Sequence, residues 1–177
     1  MKKSGCGSRR AAAFTLLELV IVVVIVGILA TMLLPVYAGM RTRAQRVQCV
    51  GNLHSLFLAA DLYLQRNGSW PQIRRSTSDN GSADFANAWI DALSQFGPTR
   101  QTWICPAVQE ILHDPDYLKE QNARVDYIPM SFDDKPTTPH QWARQPWFIE
   151  SADVHGNGNL IIFTDGSIAE VNDVVPK

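Results

Sequence analysis

Residues 13–40 read AFTLLELVIVVVIVGILATMLLPVYAGM, and the rest of the chain is organised around this stretch. From Ala11 to Met40 the only charge is Glu18, and from Leu19 to Met40 there is none. About 20 apolar residues in a helix are enough to cross a bilayer. Lys2, Lys3, Arg9 and Arg10 precede the run, and Arg41, Arg43 and Arg46 follow it. Four positives against three give only a weak preference for a cytoplasmic N-terminus. A carboxylate inside a membrane costs roughly 2.5–3.5 kcal/mol on insertion scales, so Glu18 marks a function or a partner unless it sits at headgroup level. An ordinary secretory signal has an apolar stretch of about 7–15 residues, shorter than this one, although Val36-Tyr37-Ala38 offers a cleavage site of the right kind.

The whole chain has 177 residues, is 46% hydrophobic and 19% charged, and carries a net charge of −1. That balance argues against a dedicated nucleic-acid binder, which shows a basic excess. Three cysteines are too few for a disulfide-dense mini-protein. Residues 41–177 have a net charge of −4, obtained by removing Lys2, Lys3, Arg9, Arg10 and Glu18 from the total, and are long enough to bury a core.

The run Ala13-Phe14-Thr15-Leu16-Leu17-Glu18-Leu19-Val20-Ile21-Val22-Val23 resembles the class III signal of type IV pilins and type II secretion pseudopilins. The resemblance implies that a prepilin peptidase cuts between Ala13 and Phe14 and that the new Phe14 amine is N-methylated. That family has Gly before the cut, where this chain has Ala13. Glu18 is then the assembly residue that recruits the next subunit. Gly27 and Pro35 fall where pilin-like helices carry helix-weakening residues. The physics agrees: a cationic amine on Phe14 set against a neighbour's Glu18 cancels two charges in a low dielectric. Repeating such a contact without closure gives a filament.

Past the membrane run the helix is expected to continue. Val47, Val50, Leu53, Phe57, Ala60 and Leu64 recur at helical spacing as one apolar stripe. Asn67-Gly68 stops it, and a helix over 14–67 would span about 80 Å, with Pro35 expected to kink it. The stretch from Arg41 to Leu53, with Tyr63 and Gly68-Ser69-Trp70-Pro71, is also similar to pilin-like proteins. Its arginines read as a solvated face touching lipid headgroups, in preference to nucleic acid.

Residues 76–82 read as a polar loop. Phe85, Trp89, Leu93 and Phe96 predict a short amphipathic helix over 83–96, capped by Ser82 and ended by Gly97-Pro98. A helical turn is expected to follow Trp103-Ile104-Cys105-Pro106, ending by Leu112. Asp133–Pro139 is a Pro/Thr loop. In an oxidising periplasm Cys49 and Cys105 would form a disulfide, closing a 57-residue loop worth roughly 4 kcal/mol on a chain-entropy argument. Zinc held by these cysteines with His54 or His113 is the alternative, without a C-x-x-C or H-x-x-x-H spacing to support it.

At the C-terminus 147–149, 159–164 and 167–171 read as strands, with 125–128 as a further one and Asp165-Gly166 as a two-residue hairpin turn. The expected fold class is α+β, a long N-terminal helix packed on a small antiparallel sheet. Nine residues separate His155 from Asp165-Gly166, which resembles the H-x9-DG motif found at the C-terminus of many pilin-like proteins. The resemblances together cover about residues 9–71 and 146–171. His155 and Asp165 lack a nearby nucleophile and read as loop closure, not catalysis. Asp153, Asn157 and Asn159 alternate oxygen ligands, a weak calcium candidate that falls short of the six oxygens a hard cation takes.

These readings divide the chain into a leader 1–13, a transmembrane and assembly half of the helix 14–40, and a periplasmic globular domain 41–177. The implied protein is a non-enzymatic pilus or pseudopilus subunit. It would be a single-pass protein of the bacterial inner membrane before joining a filament. Its partners would be a prepilin peptidase/N-methyltransferase, other pilin-like subunits or copies of itself, and inner-membrane lipid. No cofactor and no nucleic acid is expected. The alternative is a secreted or membrane-anchored binding or enzymatic domain that uses an ordinary signal.

Overall fold

Helix α1 spans Leu16–Asn67 and starts where its side chains dictate. Glu18 Oε2 accepts from the Thr15 backbone N at 3.0 Å and from Thr15 Oγ1 at 2.8 Å, and Glu18 N donates back to Thr15 Oγ1 at 3.3 Å. This is a Thr-x-x-Glu capping box, which satisfies amide groups that a helix start otherwise leaves unpaired. At the other end Gly68 takes φ +70, and its N donates to Leu64 O at 2.8 Å. Glycine adopts that left-handed cap without steric cost. The helix is unbroken through Gly27 and Pro35.

The computed structural model describes residues 15–75, 81–156 and 158–174, without the side chains of residues 33–36 and 38. Ala13, Phe14, Asn157 and most of the expected 76–82 loop lie outside the described residues. The chain divides into two compact units, Met1–Arg41 and Thr42–Lys177. In the first, every described side chain from Thr15 to Met32 is exposed, leaving an apolar helix without a partner in the single chain. Among the described residues no helix is long and apolar enough to cross a membrane.

In the second unit the sheet runs in the order β1 (Tyr127–Pro129), β2 (Pro146–Glu150), β3 (Leu160–Phe163) and β4 (Ile168–Glu170). All neighbours are antiparallel, with Tyr127 opposite Glu150, Phe148 opposite Ile162 and Ile161 opposite Ala169. The expected α+β class, a long helix packed on a small antiparallel sheet, is what the chain forms. The hairpin turn differs from its expectation. Phe163 N donates to Ser167 O and Gly166 N to Phe163 O, so three residues, Thr164 to Gly166, make the loop. Gly166 at φ +75 supplies the left-handed residue such a three-residue loop requires.

The buried face of α1 is centred on Cys49, Leu53, Leu56, Ala60 and Leu64. Val47, placed on the stripe from spacing alone, is 70% exposed, and Val50 and Phe57 are half-buried. Val47 lies two residues from Cys49, about 200° around the helix and on the far side. Helix α2 spans Gly81–Ser94, so Ser82 lies inside it and is not its cap, and Phe96 falls beyond its end. Its Phe85, Trp89 and Leu93 are buried as the spacing predicts. Helix α3 spans Pro106–Leu112, and a last turn α4 covers Val171–Val174.

The layers meet in an aromatic core. The ring of Trp70 lies 5.8 Å from Trp89, 5.2 Å from Trp147 and 6.0 Å from Phe148. Phe57 brings α1 into it, 4.9 Å from Trp147. Trp70 Nε1 donates to Met130 O and Trp147 Nε1 to Pro139 O, both at 2.9 Å, so these indoles are buried with their polar atoms satisfied. Arg46 pairs with Glu170 at 2.6 Å, tying α1 to β4. One arginine read as a lipid-facing cation is therefore engaged with the domain itself.

Candidate functional site

Four chain segments converge beneath α1. The helix supplies Cys49, the turn ahead of α3 supplies Cys105, the end of β2 supplies Glu150, and the β2–β3 loop supplies His155. Cys49 Sγ and Cys105 Sγ stand 2.9 Å apart as free thiols. Cys105 Sγ is 3.9 Å from His155 Nε2, which is 3.2 Å from Glu150 Oε1. One ligand-type atom from each of the four lies within 4.8 Å of the others. Both cysteines are fully buried, and the His155 and Glu150 side chains are 1% and 0% exposed.

The surroundings hold these groups in place. Asp126 Oδ2 accepts from Cys105 N at 2.8 Å, and Arg124 Nε donates to the same carboxylate at 3.0 Å. Asn52 Nδ2 donates to Ile104 O at 3.1 Å and to Tyr127 Oη at 3.3 Å, which pins α1 to the Cys105 turn and to β1. Asn159 Nδ2 donates to Glu150 O at 2.6 Å, fastening the far end of the β2–β3 loop. His155 Nδ1 is buried without a hydrogen-bond partner among the described residues, so its Nε2 side alone orients the ring.

Burial and mutual contact set the thiol chemistry. The hydrogen bond with Cys105 holds the Cys49 thiol below the ordinary value of 9.0. The same contact, reinforced by burial, pushes Cys105 well above it. Burial, followed by the charge on Cys49, raises the Tyr127 phenol above its usual 10.0. A buried anion is favoured only where something positive or a donor faces it, and the first thiolate formed here opposes the second.

The two halves of the H-x9-DG motif do different jobs. His155 enters the buried cluster, whereas Asp165 and Gly166 form the exposed β3–β4 loop. Asp165 Oδ1 accepts from Ser167 N at 2.9 Å and from Ser167 Oγ, closing the turn on itself. A Cβ on Gly166 would stand 3.4 Å from Phe57 of α1, so the loop lies close over the helix. His54 and His113, the imidazoles offered from sequence as zinc ligands, are both exposed and stand outside the cluster. Of the calcium candidates, Asp153 Oδ1 accepts from Gly156 N at 3.1 Å, and the Asn159 amide is engaged with Glu150 O.

Sequence reasoning brought the two cysteines together and singled out His155, but it missed that His155 joins them. It also missed Glu150, Asp126 and Tyr127, which the sheet and its flanks bring in without a spacing signal, and the anchoring role of Asn52 on α1. The capping role of Glu18 was legible as Thr-x-x-Glu and was passed over in favour of its charge.

Comparison with known proteins agrees with the N-terminal reading. Residues 8–34 match the prokaryotic N-terminal methylation motif. The chain is 36% identical over 74 residues to the type II secretion system core protein G of Pectobacterium carotovorum subsp. carotovorum, covering 38% of this chain and 47% of that protein. It is 38% identical over 63 residues to the protein of that name from Aeromonas hydrophila, covering 36% and 44%. A fimbrial protein of Neisseria meningitidis serogroup A is 34% identical over 80 residues, covering 45% and 47%. The chain thus spans less than half the length of these curated relatives. No solved structure matches. The chain is thus similar, over part of its length, to type II secretion pseudopilins and to a fimbrial protein.

Proposed function

We propose that the chain is a structural, non-catalytic subunit of a pilus or pseudopilus filament. In this reading prepilin peptidase removes residues 1–13 and methylates Phe14, and the run from Phe14 to Met40 holds the subunit in the inner membrane. Residues 41–177 then form the periplasmic domain. The observation that carries the proposal is the methylation motif over 8–34, joined to a helix whose apolar surface is exposed on every side. A helix that is apolar all round is stable only in lipid or against other helices.

Assembly follows from charge. Removal of the leader deletes Lys2, Lys3, Arg9 and Arg10 and takes the side-chain charge from −1 to −5. It also creates a cationic amine next to the sequence that contains Glu18. An amine of one subunit facing Glu18 of the next compensates two charges that would each be costly alone in a low dielectric. The leader's own lysines and arginines keep the uncut chain from making that contact. Prepilin peptidase, other pilin-like subunits and inner-membrane lipid are the partners this reading requires.

The test is cross-linking of membrane-embedded subunits in cells that carry prepilin peptidase. Wild-type chain should give a ladder of multimers, and Glu18→Val should give monomer at equal abundance. A full ladder from Glu18→Val would refute a role for the carboxylate in assembly.

A further inference from the structure

We infer that Cys49, Cys105, His155 and Glu150 form a buried zinc site that joins α1 to the sheet. Two sulfurs, one imidazole nitrogen and one carboxylate oxygen make a donor set that suits zinc and does not suit calcium. With zinc–sulfur bonds of about 2.3 Å and zinc–nitrogen or zinc–oxygen bonds of about 2.0–2.2 Å, a tetrahedral site has edges of about 3.3–3.8 Å. The edge from His155 to Glu150 is 3.2 Å and the edge from Cys105 to His155 is 3.9 Å, close to those lengths. The sulfurs stand at 2.9 Å, so they part by about 0.8 Å to accept the ion.

A disulfide between Cys49 and Cys105 is the rival, and it accounts for two of the four groups. It would leave a carboxylate and an imidazole together in a place where neither side chain is more than 1% exposed. Their mutual pairing offsets that burial only in part, whereas a metal ion bonds both groups directly. A divalent cation answers all four at once. The Zn²⁺ displaces the two thiol protons to solvent and forms two zinc–sulfur bonds, with no electron transferred and no oxidant required. His155 donates its Nε2 lone pair, and Glu150 supplies the fourth ligand.

The placement explains why the ligands come from such distant parts of the chain. Cys49 lies on α1, Cys105 is fixed by Asp126 below it, and Glu150 and His155 bracket the start of the β2–β3 loop. No two adjacent ligands lie within four residues of each other, which is why no short metal motif marks the site. The ion would fasten the helix to the domain at the level of its first buried residue. Exposed His54, on the same helix, provides an internal control.

The experiment uses the full chain extracted in mild detergent without chelator, with metal content measured alongside intact mass under alkylating, non-reducing conditions. One zinc per chain and two thiols protected until the metal is removed are expected. The reduced, metal-free chain should then take up Co²⁺ with the near-ultraviolet sulfur-to-cobalt charge-transfer band and visible bands of a tetrahedral site. Zn²⁺ at a hundred times its dissociation constant should raise Tm by about 5–10 °C, and Ca²⁺ should not. Cys49→Ser and His155→Ala should lose the cobalt band, and His54→Ala should keep it. The wild-type spectrum decides the matter even if the ligand variants fail to fold. A chain isolated with a Cys49–Cys105 disulfide and no metal overturns the site. So does a reduced chain that takes up no Co²⁺, or one stabilised by Ca²⁺ alone.

Discussion

Glu18 has two separable roles, and substitution tells them apart. Its carboxylate closes the capping box with Thr15, a role that Gln fills as well as Glu. Its charge is what a neighbour's amine would require, and Gln does not supply it. Glu18→Gln should therefore keep the helix start and lose assembly, while Glu18→Ala should lose both. Circular dichroism and cross-linking on the same preparations check this, and assembly by Glu18→Gln would reduce the residue to a cap. At the other end of the chain, hydrogen bonds from Ser167 hold Asp165 below its ordinary value of 3.8. A carboxyl lowered on folding stabilises the native state above its unfolded pKa, and that contribution is lost as pH falls through the native value. Asp165→Asn should lower Tm slightly at pH 7 and converge on wild type below about pH 4, as followed by thermal melts.

At the scale of elements, the buried face of α1 separates what spacing reveals from what packing decides. The 3.6-residue period correctly announced an amphipathic helix through Leu53, Ala60 and Leu64. It could not say which side of the apolar arc meets the sheet, and Val47 was placed on the wrong one. Leu56→Ala should accordingly cost about 2–5 kcal/mol in denaturant unfolding, because it opens a cavity at a fully buried position. Val47→Ser, at a site 70% exposed, should fall within about 0.5 kcal/mol of wild type. The β3–β4 loop shows the same division. Asp165-Gly166 announced a turn, but the Phe163–Ser167 pairing that makes it three residues long belongs to the register of the sheet. Gly166→Ala should destabilise the domain by about 1 kcal/mol or more, because φ +75 disfavours any Cβ and the new methyl would meet Phe57.

At the scale of the whole molecule, the methylation motif and the fold class were legible because both are local in sequence. Charge, Phe14 and an apolar run stand at fixed spacing, and strands with turn signals crowd the last third of the chain. The buried Cys49–Cys105–Glu150–His155 cluster was not legible, because α1, the Cys105 turn and β2 meet only in three dimensions. The nearly neutral composition hid the same division. Residues 41–177 bury a tryptophan-rich core, whereas the described apolar side chains of the first unit find nothing in the single chain to cover them. Assembly is the event that would cover them. In the proposed reading it requires a new N-terminus, so mass spectrometry of the N-terminal peptide from membrane-extracted protein is the decisive measurement. The mature chain should begin at N-methylated Phe14. A chain beginning at Met1, or cut after Ala38 to begin at Gly39, would contradict it.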